Sequence, residues 1–211
     1  MQELPIHIKT SIFKDFLFKD FLFQFNVHFE FKKPEIMTVR KSMRAYFFDW
    51  NDTRYTEFMV KFLSKLEPRF YNTAEYIFEE GDEVDEHIFV IRRDPNKPIN
   101  STGCYAVGFS FNTRIKYFHV KLGSNSIICG YENLFDKTAE YTYKALMHID
   151  AYGLRKADLK HIFDDHRDFR KQMSRYTLEF YTEVIRNPML KFKQSIYGQV
   201  GKRQRLDNIM Q

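Results

Sequence analysis

Glu79-Glu80-Gly81-Asp82, His87-Ile88-Phe89-Val90-Ile91, Cys129-Gly130-Tyr131-Glu132 and Tyr141-Thr142-Tyr143-Lys144-Ala145 follow one another within residues 75–145, and the fold turns on how they are read. Short apolar and aromatic runs lie at 74–78, 87–91, 104–111, 115–121, 126–129, 141–148 and 151–154. Turn signals separate them, among them Gly81-Asp82, Asp94-Pro95-Asn96, Gly123-Ser124-Asn125 and Asp136-Lys137. Several short strands with tight connections predict a β-roll or barrel.

Helical patterns flank this region. Leu4-Pro5 opens a helix from about Ile6, with Ile8, Ile12 and Phe16 at helical spacing. Phe-Lys-Asp-Phe-Leu at 13–17 is repeated at once at 18–22, a step that suits neither helix nor strand and reads as a local duplication, with helix favoured. From Phe23 to Phe31 the apolar residues alternate strictly, the period of a strand, whereas the family resemblance given below implies helix, so both stay open there. Residues 32–52 are weakly patterned and read as an insertion. Asp52 or Thr53 can cap a helix carrying Phe58, Phe62, Leu63 and Leu66 that stops at Pro68.

On the other side, Lys156-Ala157-Asp158-Leu159 starts a short helix, and Asp164 or Asp165 can cap a longer one. That longer helix carries Phe169, Met173, Tyr176, Phe180 and Val184 on one face and is expected to end near Asn187-Pro188. The fold class is therefore α+β, an antiparallel roll with N- and C-terminal helices. Its divisions are a linker-like helical segment at 1–52, the roll and its helices at 53–187, and a basic, partly disordered tail at 188–211.

A chain of 211 residues is long enough to bury a real core, and with 23 Phe among its 18% aromatic residues, rings must supply much of the packing. The richest apolar window, 12–31, is broken by Lys14, Asp15, Lys19 and Asp20, so no membrane span is expected, and the first residues lack the pattern of a secretory signal. The expected compartment is the cytoplasm. Two cysteines, Cys104 and Cys129, with no Cys/His cluster at ligand spacing, point to reduced thiols and no metal site. A net charge of +5 permits an acidic partner without naming one, and no nucleic acid is expected.

Glu79-Glu80-Gly81-Asp82 resembles the Gly-Asp turn of cyclic-nucleotide-binding domains, and 87–91 resembles the strand that follows it. Residues 123–145 resemble the family's phosphate-binding cassette, with Leu134-Phe135 at its short helix and Tyr141 to Ala145 as the closing strand. Leu4-Pro5 and the Phe-Lys-Asp-Phe-Leu segment look like the C-linker that joins a channel pore to such a domain. Ile128-Cys129-Gly130-Tyr131-Glu132-Asn133-Leu134-Phe135, followed by Leu154-Arg155-Lys156-Ala157-Asp158, is most similar to the divergent domains of ciliate voltage-gated potassium channels. The resemblance covers about residues 4–187, save 32–52.

The resemblance implies a site for cAMP or cGMP in which backbone N–H groups and an Arg hold the cyclic phosphate and a Glu accepts from the ribose. In this register the Gly is Gly130, the Glu position holds Tyr131 and the Arg position holds Ala139. Glu132 is one residue off, and Lys137 and Lys144 are the nearest cations. The expectation is a vestigial cassette that binds cyclic nucleotide weakly or not at all, in a regulatory or assembly module of a potassium-type channel, with no cofactor. The alternative is a genuine cyclic-nucleotide sensor, of a channel or a kinase regulatory subunit, using a substitute cation. Phe192 and Tyr197 in the tail are candidates for an intrinsic ligand filling the pocket on a returning strand, as in some channel relatives. Residues 6–31 are the candidate contact with other subunits or a pore, and the basic tail is a candidate for anionic lipid at the inner face of a membrane.

No catalytic constellation is present. His87 and His119 lie among aromatics without a paired nucleophile or carboxylate, and the acidic turn at 79–86 lacks the alternating ligands of a calcium loop, so structural roles are expected for both.

Overall fold

The computed structural model describes residues 4–13, 53–91, 104–111, 115–123 and 126–209. The helix-or-strand question at 23–31 and the insertion at 32–52 lie outside the described residues. After α1 (Ile6–Ser11) come α2 (Thr53–Leu63), β1 (Glu67–Tyr71), β2 (Tyr76–Phe78), β3 (Glu86–Val90), β4 (Tyr105–Phe111), β5 (Ile115–Leu122) and β6 (Ile127–Ile128). The short helix α3 (Gly130–Leu134) leads to β7 (Thr142–Ala145), β8 (Ile149–Arg155), α4 (Lys156–Asp165) and α5 (Arg167–Phe180). A π-helical run (Tyr181–Arg186) joins α5 to α6 (Asn187–Ile209).

The strands form two four-stranded antiparallel sheets in the orders β1-β8-β3-β6 and β2-β7-β4-β5, an antiparallel roll with helices at both ends. Alternation sets which side of each strand faces the core. On β7, Thr142, Tyr143 and Ala145 are buried while Lys144 turns out, its ammonium 4.9 Å from the Tyr76 ring and 5.8 Å from that of Phe118.

Strand β1 was not foreseen, because Pro68 reads as a stop. The helix in fact ends at Leu63 and Pro68 sits inside β1, at an edge of its sheet, where a residue without an N–H costs no interior ladder bond. Arg69 of β1 reaches across β8 to Glu86 of β3, with Nε donating to Oε2 at 2.8 Å. The expected Asp cap of α5 is also absent: His166 holds the N-cap position without a side-chain hydrogen bond.

Two apolar cores result. One joins α2, α4 and α5 to Phe89, Ile127 and Leu154, and within it Phe58 stacks on Phe169 with centroids 4.6 Å apart and planes 14° from parallel. The other fills the roll with Val107, Phe109, Tyr141, Tyr143 and their neighbours, and it takes Tyr181, Ile185 and Met189 from the C-terminal helix.

That helix departs from expectation in two ways. It does not stop at Asn187-Pro188 but runs on as α6, so the tail expected to be partly disordered is helical as far as Ile209. Pro188 is accommodated near the start of α6, where its missing N–H falls next to the π-helical run. The buried face also changes phase. It runs Phe169, Met173, Tyr176 and then Tyr181, Ile185, Met189, while Phe180 and Val184, expected on that face, are only half-buried.

Phe58 is fully buried, so Phe58→Ala is expected to destabilise the protein by about 3–5 kcal/mol in urea unfolding. Phe70→Ala, at an edge position 64% exposed, is the control and should change stability by no more than about 0.5 kcal/mol.

Candidate functional site

Gly81 has φ of +93°, a conformation that glycine adopts without strain, and it turns the chain between β2 and β3. The turn is closed by the Glu79 N–H donating to Asp82 Oδ2 at 2.6 Å. It is also zipped to the segment before β7: the Gly81 N–H donates to the Ala139 carbonyl and the Ala139 N–H to the Asp82 carbonyl, both at 2.9 Å. Ala139 is thereby fixed at the wall of the roll and buried in its core.

The cassette begins where β6 gives way to α3. Cys129 takes a left-handed conformation at φ 52° and reverses the chain. Gly130 then packs so closely that a Cβ there would meet Ile127 and crowd the His87 ring. From α3 the next two side chains diverge. Tyr131 leaves on the C-terminal-helix side, where its ring lies parallel to Tyr181 with centroids 4.1 Å apart and planes 9° from parallel, and tilted on Phe135 at 4.9 Å.

Glu132 points into the roll and is 1% exposed. The Tyr143 hydroxyl donates to its Oε1 at 3.1 Å, while Oε2 has no partner among the described residues. Burial raises the carboxyl from its ordinary 4.5 to about 7, with the Tyr143 hydrogen bond acting in the opposite sense. The Cys129 thiol nearby is also pushed up by burial. Tyr181 is raised by burial and by its hydroxyl's hydrogen bond to the Glu140 carboxylate.

The two cations nearest in sequence do not converge on this place. Lys137 is exposed, and Lys144 lies over Tyr76 on the opposite face of β7 from Tyr143. The tail aromatics sit elsewhere too. Phe192 stacks on His119 at 4.2 Å and 8°, and meets Phe109 edge-on at 6.0 Å. Tyr197 is 55% exposed and rests tilted against Phe111 at 5.3 Å. Lys193 adds its ammonium over Phe109 and Tyr141 at 4.9 and 4.8 Å. These contacts dock α6 as a helix on β4 and β5, not as a strand, and the ring that meets the cassette is Tyr181.

Sequence reasoning missed Tyr181 because a regular helical period puts Phe180 on the packed face. A signal was there, in the steps from Tyr176 to Tyr181, Ile185 and Met189, which only a lengthened turn brings into line.

No family model matches the chain. Among curated proteins it is similar to probable cyclic nucleotide-gated ion channel 5 of Arabidopsis thaliana, 25% identical over 155 residues, which is 68% of this chain and 20% of that protein. A second relative, putative cyclic nucleotide-gated ion channel 9 of the same plant, is 25% identical over 157 residues, or 69% of this chain and 20% of its own length. The chain thus spans about a fifth of the length of the curated relatives it matches. Their names agree with the family resemblance read from the cassette motifs. Among solved structures, a cyclic nucleotide-binding domain from Methylobacillus flagellatus overlaps with a TM-score of 0.48 at 15% identity, covering 70% of this chain and 73% of that one. A regulatory subunit of a cAMP-independent protein kinase A from Trypanosoma brucei gives 0.47 at 11% identity, over 81% of this chain and 48% of that one. Among the described residues no helix is long and apolar enough to cross a membrane.

Glu132 makes stability depend on pH. With its folded value raised to about 7 from 4.5, the native state holds the proton more tightly than the unfolded chain, so stability falls as pH rises through that window. Urea titrations at pH 5 and pH 8 should show the wild type losing roughly 3 kcal/mol relative to Glu132→Gln, which keeps an acceptor for Tyr143 and has no proton to lose.

Proposed function

We propose that this chain is a cytoplasmic regulatory and assembly module of a potassium-type cation channel, acting at the inner face of a membrane, with a vestigial cassette that binds cAMP or cGMP weakly or not at all. One observation carries the reading. At the two positions where the family register calls for charge stand Tyr131, stacked on the chain's own helix, and Ala139, buried in the roll. Losing a charge-assisted contact costs about 1.5–3 kcal/mol, so two such losses turn micromolar binding into millimolar or weaker.

The names of the plant relatives and the linker-like N-terminal segment favour a channel over a free-standing sensor. In that setting residues 6–31 make the contact with neighbouring subunits or the pore, and the likeness to ciliate potassium channels gives the ion. The basic residues Lys191, Lys193, Lys202, Arg203 and Arg205 add affinity for anionic lipid headgroups.

Isothermal titration with cAMP and with cGMP is expected to give no saturable heat below about 1 mM. A micromolar dissociation constant would turn the reading toward a genuine sensor. The complementary variant, Tyr131→Glu with Ala139→Arg, puts a guanidinium in a buried place that only an anion can satisfy, so added cAMP should raise its melting temperature while leaving that of the wild type unchanged. A folded double variant indifferent to cAMP would show that the cassette register is wrong.

A further inference from the structure

We infer that the Tyr131–Tyr181 stack is an intramolecular latch, which holds the C-terminal helix against the cassette from within the chain. The inference deepens the proposed reading and rests on it for the identity of the cassette. The geometry of the latch stands apart from any affinity for nucleotide.

Tyr131 lies in the first turn of α3, and Tyr181 is the first residue of the π-helical run. Their rings are stacked at 4.1 Å and 9°, and Tyr181 is only 2% exposed. Its hydroxyl donates to the carboxylate of Glu140, in the segment that leads from Ala139 into β7. One side chain therefore holds both ends of the cassette, α3 through its ring and the approach to β7 through its oxygen.

The helix is built to deliver that side chain. A π-helical turn has poorer geometry than an α-helical one and recurs at functional sites, and here it spans six residues. Its effect is to move the buried face from the helical core to the roll, with Tyr181, Ile185 and Met189 on the new face. Beyond it, α6 is seated in the roll by buried Met189 and then rests on β4 and β5 through half-buried Phe192 and exposed Tyr197. With the helix anchored in the first core by Phe169 and Met173, releasing the stack leaves α5 in place and loosens α6, which then keeps only Ile185, Met189 and its outer rings on the roll.

Amide hydrogen exchange on the full chain tests this. Tyr181→Ala is expected to speed exchange across 187–198 by at least about tenfold and to leave the amides of α2 unchanged. Tyr131→Ala should act on the same amides, and combining the two should add little beyond Tyr181→Ala alone, the sign of a shared contact. Equal acceleration in α2 and α6, no acceleration in α6, or independent multiplication of the two effects would overturn the latch. If Tyr181→Ala fails to fold, Tyr131→Ala at its half-buried position carries the comparison between α6 and α2 alone. Nucleotide titration of the wild type judges the cassette reading separately: micromolar cAMP binding would overturn that reading without altering the exchange result, and unchanged exchange would remove the latch without restoring a nucleotide site.

Discussion

A straight α-helix offers one apolar stripe, and the helical rod from Arg167 to Ile209 has to serve two cores. Its first part packs against α2 and α4 through Phe169, Met173 and Tyr176, and its second part covers the roll through Tyr181, Ile185 and Met189. The two faces are out of register by one residue, and the π-helical run absorbs the difference. Without that step the period would be lost beyond Tyr176, and Tyr181 would turn away from Tyr131. The fit between the helical core and the roll, the docking of α6 and the occupation of the cassette's outer side all depend on this change of phase.

Around α3 the interior is filled by the chain's own side chains. A residue that departs from α3 one position later than Tyr131 points a different way, so Glu132 enters the roll instead of facing outward. There it meets the Tyr143 hydroxyl, and burial raises its carboxyl to about 7 against the opposing effect of that hydrogen bond. A buried carboxylic acid of this kind is a donor and acceptor of hydrogen bonds more than a charge, and it suits the surrounding tyrosines Tyr105, Tyr141 and Tyr143, all fully buried. The buried polar groups here are thus phenols and one acid, whereas a cyclic phosphate requires fixed positive charge. Lys144, the cation nearest along the closing strand, is kept out of the interior by the pleat itself.

Much of this was legible in the sequence, and what was not has definite causes. Alternating aromatics between Gly- and Asn-rich turns marked seven of the eight strands, because a half-buried strand and its turn carry local signals. The eighth, β1, was hidden by Pro68, whose meaning depends on whether the strand lies at an edge, a fact of tertiary structure. The observed β7 and β8, at Thr142–Ala145 and Ile149–Arg155, also divide the region 141–154 differently from the sequence pattern, since pairing with β4 sets the ends of β7 and pairing with β1 and β3 those of β8. Gly130 and Ala139 could be picked out as candidate positions by counting along a family register. Tyr181 could not, since it becomes a site residue only through a lengthened helical turn, and α6 could not, since Asn187-Pro188 is a local stop signal overridden by packing on β4 and β5.

A ligand shifts a conformational equilibrium only by the difference in its affinity for the two states. In a sensor, the state with the C-terminal helix docked is favoured when nucleotide completes the contact between cassette and helix. Here the contact is completed by Tyr131 and Tyr181, which belong to the same chain and are always present at the effective concentration set by a tether. The docked state then needs no added molecule, and what remains for regulation is the opposite step, its release. A single stacked pair with one hydrogen bond is a modest tie, on the order of a few kcal/mol with ring burial included. On the proposed reading, a chain with these residues in the cassette is suited to reading mechanical or assembly state in place of a second messenger.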